Sequence, residues 1–405
     1  MADTILVINA GSSSIKFSVY GIGDSAELSL TLKGQVDGIG TRPRFRAHDA
    51  GGRPLADQTF SAADIPDVAV ATGRVGAWLR ERLSGGVPVA VGHRVAHGGP
   101  DHRAPVVVDN DLLAALERLI PLAPLHQPYN LRPIRTIQER FPRTVQVVCL
   151  DTAFHRAHPD VADRFAIPED LYNEGVRRYG FHGLSYEYIA QVLPSVAPEI
   201  AQRSVVVAHL GSGASMCAIK GGQSMDSTMA FTGLDGLPMG TRCGQIDPGV
   251  LLYLVSEKGY GAKELERFLY HETGLRGLSG ISNDVRDLLA SKEPNARLAL
   301  DYFVYRVTRE LGALAAVMQG IDALVLTAGI SENSPHIRAR ICEGAAWLGL
   351  RLDEAANLAG GPRISTPDSR VSAWVIPTDE ERMIAEHTVK VWRDRAVLDS
   401  GRSSQ

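Results

Sequence analysis

Ile5 to Ile8 is a continuous apolar run. Asn9 to Ser14 is small and polar, and from Ile15 to Tyr20 the apolar positions Ile15, Phe17 and Val19 alternate with Lys16 and Ser18. That order predicts strand, tight turn, strand. The pattern recurs where Val205 to Ala208 leads through His209-Leu210-Gly211-Ser212-Gly213 into Ala214-Ser215-Met216, laying Gly211-Ser212 over Gly11-Ser12. Glycine and short hydroxyls let backbone N–H groups approach a phosphate, and Lys16 adds a cation to the first turn. Two such hairpins predict a duplicated fold with a nucleotide held between its halves.

The remaining pattern predicts turns and short strands over Gly34–Pro54 and a helix over Val68–Leu83 that stops at Gly85-Gly86. Val87–Val91 reads as a short buried strand that hands over to a glycine-flanked loop, Gly92 to Gly99, carrying Arg94. Asp109–Ile120 reads as a helix ended by Pro121, and Ala123–Pro128 as too proline-rich for regular structure. Val145–Leu150 is a strand with Asp151 at its carboxyl end, where ligands of open α/β sheets gather. Asn295–Gln319 has helical spacing up to Gly320, and Ala323–Thr327 is a buried strand running into Ala328–Asn333. Thr378 and Glu381 form a capping box opening a helix through about Trp392, and Asp399–Gln405 reads as a disordered tail.

A chain of 405 residues suits two domains. Its net charge of -4 gives no basic surplus for nucleic acid, and no apolar run is long enough for a bilayer. Met1-Ala2-Asp3-Thr4 lacks the marks of a signal peptide. Cys149, Cys217, Cys243 and Cys342 are scattered, with no C-x-x-C pair, so neither a disulfide framework nor a zinc site is predicted and a reducing cytoplasm is expected. No Gly-Lys dipeptide is present, which excludes a Walker A loop, and the H-R-D and D-F-G motifs of protein kinases are missing.

Nine blocks carry a more specific signal: Asn9–Lys16, Gly92–Gly99, Leu125-His126, Asp151–His155, Arg178–Gly183, His209–Ser215, Met239–Arg242, Thr327–Asn333 and Thr378–Glu381. Together and in this order they resemble the acetate kinase (acetokinase) family of the acetate and sugar kinase/Hsp70/actin superfamily. The resemblance implies an α/β fold of two actin-like (RNase H-like) domains with a duplicated core and a cleft between them. Residues 1–150 would form the substrate-side domain and 151–384 the nucleotide-side domain, with 385–405 a helix returning to the first domain plus a short tail. The implied reaction is reversible, ATP-dependent phosphorylation of acetate to acetyl phosphate by direct in-line transfer, with Mg²⁺ (Mn²⁺ able to substitute) and ADP as product. The implied assembly is a homodimer.

The resemblance also implies roles. Arg94 and Arg242 would hold the carboxylate and the transferring phosphoryl, a task suited to a planar fork that bonds two oxygens. His182 and His126 would contact the phosphoryl. Asp151 would position substrate and phosphoryl through the arginines, because acetate is already deprotonated. Arg94, Val95, Leu125, Phe181 and Gly233 would bind the acyl substrate. Ser12, Ser14 and Lys16 would meet phosphates, as would His209, Leu210, Gly211, Ser212 and Gly213. Asp284, Val285 and Arg286 would hold adenosine with Gly329, Ile330, Ser331, Glu332 and Asn333. Asn9 and Glu380 would hold the metal; the capping box accounts for Glu381 and leaves Glu380 for that work. Several positions depart from the family's usual residues: Ser212, Ser331, Gln245, Leu184, Tyr186 and above all Gly233, where proline is usual. Losing that ring enlarges the pocket for the substrate's methyl group and favours, as an alternative, a propionate-preferring acyl kinase. Sugar or glycerol kinases and ATP-driven chaperone or filament proteins share the superfamily, but the paired arginines speak for an anionic acceptor.

Overall fold

Strand β1 (Thr4–Ala10) and strand β2 (Ser14–Ile22) form the first predicted hairpin, with Ala10 opposite Ile15 and the turn closed by Gly11 N donating to Ser14 O at 2.8 Å. The computed structural model describes residues 3–23, 27–83 and 86–402; the predicted stop at Gly85, the first two residues and positions 403–405 of the expected tail lie outside them. The first sheet continues with β3 (Leu28–Asp37), β4 (Arg44–Asp49), β5 (Pro54–Thr59), β6 (Ala90–Val95), β7 (Val106–Val107) and β8 (Val145–Leu150), in the order β5-β4-β3-β2-β1-β6-β8-β7. The second contains β9 (Ser204–Leu210), β10 (Ala214–Lys220), β11 (Gln223–Ser227), β12 (Ala323–Thr327) and β13 (Ser372–Val375), in the order β11-β10-β9-β12-β13.

The duplication is visible in strand order and direction. β3-β2-β1 and β11-β10-β9 are antiparallel runs, and each central strand then continues into two parallel neighbours, β6-β8 or β12-β13. The second hairpin is one residue tighter: Leu210 faces Ala214, and Gly211 N donates to Gly213 O at 3.0 Å. Each sheet belongs to its own compact unit. The first unit takes the chain up to Ala153 and again from Asp379 on, and the second is Phe154–Thr378.

In the first unit Leu6, Ile8 and Val91 pack with helix Val68–Arg82, around the rings of Phe17, Phe45 and Trp78. The opposite pleat receives helix Glu380–Arg402. At Gly92 a Cβ would collide with Thr388 and Ile384, so only glycine lets this helix lie against β6. The whole helix therefore goes with the first unit, and residues 379–384, expected with the second, go with it. In the second unit, helix Pro294–Val317 buries Leu300, Phe303, Val307, Leu311 and Leu314 in one apolar core with β9, β10 and β12.

Local readings shift for identifiable reasons. β6 begins at Ala90, not Val87, because Pro88 has no donor for the ladder and Val87 is exposed. The strand runs on through Val95, which makes Arg94 a strand residue and not a loop residue. Helix Gln127–Arg140 starts inside the supposedly irregular segment with Pro128 in its first turn, where a missing N–H costs nothing. Pro121 sits inside a short 3-10 turn, Ile120–Leu122, after helix Asn110–Arg118. The cap of helix Glu380–Arg402 is Asp379, whose Oδ1 accepts from Arg382 N at 2.9 Å; the box of Thr378 and Glu381 does not form. The helix passes Trp392 and continues to Arg402.

Candidate active site

Three adjacent parallel strands bring one group of expected residues together in the first unit. Asn9 is near the carboxyl end of β1, Arg94 near that of β6, and Asp151 follows β8. Arg94 Nη2 and Nε donate to Asp151 Oδ2 at 2.6 and 3.0 Å, and Nη1 lies 3.4 Å from Asn9 Oδ1. Glu380, the first residue of its helix, places Oε2 4.0 Å from Arg94 Nε. Burial would lower the Arg94 pKa, but the charges of Asp151 and Glu380 outweigh it and raise it. Arg94 is thus a fixed, permanent cation, and Asp151, itself buried, is committed to orienting it. Asn9 and Glu380 offer an amide and a carboxylate oxygen on either side of that guanidinium. Such hard oxygen donors fit Mg²⁺, which keeps several waters and needs few protein ligands. Among the described residues, no group of three or more His, Cys, Asp or Glu could hold a metal ion.

Two residues that the sequence reading missed align these strand ends. Asn130 is buried, donates to Ala10 O at 2.6 Å and accepts from Ala96 N at 2.9 Å, tying β1 to β6. Gln127 is buried too, accepting from His97 N and donating to His97 O. The signal was present as two amides in the first turn of an otherwise apolar helix face. His126 and Leu125, half-buried, occupy the turn just before them, and Val95 lies wholly inside the apolar cluster with Leu116 and Ile134. Ser12 and Lys16 are exposed on the first hairpin and Ser14 is half-buried.

A second group converges around Gly213 in the second unit. A Cβ there would stand 3.0 Å from Arg242 Nη2 and 3.3 Å from His182 Nε2. Arg242 Nη1 donates to Gly233 O at 2.6 Å; burial lowers its pKa, with Tyr270 acting the other way. The turn carrying Arg242 is held by Leu275 N on Met239 O and by Gly240 N on Ser212 O. His182 has a left-handed backbone (φ 57°), its Nδ1 lies 2.8 Å from Ser215 Oγ, and its ring stacks on His209 at 4.2 Å. His209 is buried against Ser185 Oγ at 2.8 Å, a supporting place. Phe181 is part of the apolar core. The expected substrate walls thus divide between units, Val95 and Leu125 in one, Phe181 and Gly233 in the other.

The nucleotide residues are brought together only in part. A cavity of about 710 Å³ is lined by Gly211, Ser212, Asp284, Val285, Arg286, Gly329, Ile330 and Asn333, joined by Asn283, Leu289 and Ser334, which were not expected. That volume suits a nucleotide-sized ligand. Its position beyond the carboxyl ends of β9 and β12 follows the rule for open α/β sheets. Ser331 and Glu332 do not line it. Ser331 is fully buried, and Glu332 turns back to accept from Ala328 N at 2.7 Å and Thr378 N at 3.3 Å, bracing Ala328 at φ 68°. Leu210 is core, and Gly213 belongs with the Arg242 group. Asp284 caps its own helix through Arg286 N at 2.8 Å and pairs with the Arg286 guanidinium, hydrogen bonds that hold its carboxyl below the usual range.

A family model described as "Acetokinase family" matches residues 4–386. The chain is 60% identical to an acetate kinase of Nitrobacter hamburgensis over 97% of both chains. Among solved structures, an acetate kinase of Porphyromonas gingivalis is 34% identical with a TM-score of 0.84, covering 96% of this chain and 100% of that one. A propionate kinase of Francisella tularensis is 33% identical with a TM-score of 0.88, covering 96% and 99%.

Proposed function

Because the chain belongs to the acetokinase family, we propose that it phosphorylates acetate with ATP, reversibly giving acetyl phosphate and ADP by direct in-line transfer. The observation that carries this is 60% identity, over 97% of each chain, to a protein named acetate kinase. Arg94, braced by Asp151, takes the acetate carboxylate, and Arg242 takes oxygens of the transferring phosphoryl. His182, fixed at Nδ1 by Ser215, offers Nε2 to an equatorial oxygen, and His126 is a second phosphoryl contact. The Gly211-Ser212 turn receives phosphates, and Asp284 to Arg286 with Gly329, Ile330 and Asn333 receives adenosine. Asn9 and Glu380 would hold Mg²⁺, which when bound would supply positive charge to the phosphates. Asp151 does not act as a base: its carboxylate is engaged by Arg94, and acetate has no proton to give.

A propionate-preferring kinase is a second reading, favoured by the missing side chain at Gly233 and by the likeness to the Francisella propionate kinase. The assembly we assign is a homodimer formed through helix Pro248–Ser256, which has no buried residue and exposes Val250, Leu252, Tyr253 and Val255. Four cysteines, none of them in a disulfide among the described residues, favour the cytoplasm. Among the described residues, no helix is long and apolar enough to cross a membrane.

The test is hydroxylamine trapping of acyl phosphate with Mg-ATP and acetate, propionate or glycerol. Fastest hydroxamate formation with acetate is expected. Faster trapping with propionate would promote the second reading. No hydroxamate from either acid, with ADP released on glycerol, would overturn both.

A further inference from the structure

The segment that delivers His182 is held by side chains to which neither the reaction nor the nucleotide pocket assigns work. From Arg178 to Phe181 the backbone is gripped almost group by group. Arg178 N donates to Asp163 O at 2.9 Å, and Tyr179 N and Gly180 N donate to Ala230 O at 3.0 and 3.3 Å. Arg156 Nη2 donates to the carbonyls of Arg178 and Tyr179 at 2.8 and 2.9 Å. His155 Nε2 lies 2.9 Å from Phe181 O, the carbonyl directly before His182.

His155 and Arg156 are both buried, and each is fixed from behind. A carbonyl only accepts, so His155 carries its proton on Nε2 and accepts at Nδ1 from Ser224 Oγ at 2.8 Å. Burial pushes its pKa down to about 3, so the ring stays neutral and this tautomer persists at working pH. The ring also lies against Gly180, where a Cβ would stand 2.5 Å from it, and Gly180 has φ 78°. Arg156 Nη1 pairs with Asp163 Oδ1 at 2.8 Å, and Asp163 also accepts from Tyr172 Oη at 2.9 Å.

These contacts end at a residue in an unfavourable conformation. His182 carries a Cβ, yet it sits at φ 57° and ψ 25°, a left-handed conformation uncommon outside glycine, immediately before helix Gly183–Val196. Such a conformation persists only where its surroundings over-determine it. We infer that His155 and Arg156 are positioning residues that clamp the Arg178–Phe181 backbone and so aim the His182 ring at the transferring phosphoryl group. The inference rests on the proposed function for what His182 does, but not for how it is held.

The test compares His155→Asn with His155→Gln in the full chain. Glutamine extends an amide N–H towards the place of Nε2 and retains a donor for Phe181 O; asparagine is too short. His155→Asn lowers kcat at least about tenfold, since sub-ångström to ångström misplacement of a reacting group costs one to two decades, while KM for ATP stays within about twofold. His155→Gln recovers most of the loss. In ¹⁵N-histidine-labelled protein, the His182 ring signals, set by stacking on His209, move in His155→Asn and not in His155→Gln. If His155→Asn does not fold, Arg156→Lys, which keeps the charge but loses the fork that joins Asp163 at Nη1 to the two carbonyls at Nη2, shows the same kcat loss and ring shift. Equal kcat in the asparagine and glutamine variants, or unmoved His182 signals in the variant that folds, overturns the clamp. Wild-type protein that makes no acyl phosphate overturns the functional reading instead, and the ring signals still decide the clamp.

Discussion

At Gly233 the backbone carbonyl receives Arg242 Nη1, and a Cβ would stand 2.9 Å from that same nitrogen. The missing side chain therefore bears on the arginine as well as on any wall for the substrate's alkyl group. The two effects separate experimentally. Gly233→Ala shifts the flexible guanidinium by a few tenths of an ångström at the carbonyl, and kcat falls about two- to fivefold for acetate and propionate alike. If instead kcat holds and only the acetate-to-propionate ratio of kcat/KM shifts, Gly233 acts as a wall, where one methylene is worth about 1–3 kcal/mol. Arg242 and Arg94 differ in kind although their residue type and expected task are the same. Arg94 is oriented by a carboxylate, whereas Arg242 is oriented by a neutral carbonyl and keeps more of its charge for an incoming anion.

Between β6 and β8, His93 is buried, with Nε2 2.8 Å from Gln146 Oε1, and burial lowers its pKa from 6.5 to about 4. Its folded pKa lies below its unfolded one, so the native state binds fewer protons between the two values. Stability is then fully present above about pH 6.5 and is lost as pH falls towards 4, at about 1.4 kcal/mol per pH unit. His155 adds the same trend in the second unit down to about pH 3. In urea titrations at pH 7 and pH 5, the wild type loses about 2 kcal/mol from His93 that His93→Gln does not lose; equal losses would remove this group from the account. β6 also shows where sequence reading reaches its limit. Hairpins β1–β2 and β9–β10, strands β8 and β12 and helix Val68–Arg82 were legible because apolar period and glycine punctuation agree there. β6 was misplaced because Gly92 and two charged-type residues interrupt its apolar run, and the reason for that glycine, helix Glu380–Arg402 on the other pleat, is remote in the chain. Asp151, Arg94 and Asn9 were singled out from sequence, and the strand ends bring them within hydrogen-bond reach of one another. Asn130 and Gln127, which align them, were not singled out, since a buried amide and an exposed one read alike. Glu332 stands apart from the cavity lining because its carboxylate serves a strained backbone at Ala328, and no periodicity announces strain.

For the molecule as a whole, helix Pro248–Ser256 is the element whose composition disagrees most with its setting, apolar in sequence yet exposed along its length. If a second copy covers it, Leu252→Glu with Val255→Lys halves the mass seen by light scattering at micromolar concentration, while far-ultraviolet dichroism is unchanged. Unaltered mass in that variant places the interface elsewhere. The first unit is discontinuous: helix Glu380–Arg402 is made only after the whole second unit has been synthesised. At about 5–20 residues per second, a ribosome exposes the strands of the first sheet for many seconds before that helix arrives. Through that interval Gly92 and its neighbours present a bare apolar pleat, and Arg94 has Asp151 for company but not Glu380. The second unit, continuous in sequence, has all its strands in hand first. The nascent chain therefore completes its later half before its earlier one, and the first sheet is the surface that a holding chaperone would meet during synthesis.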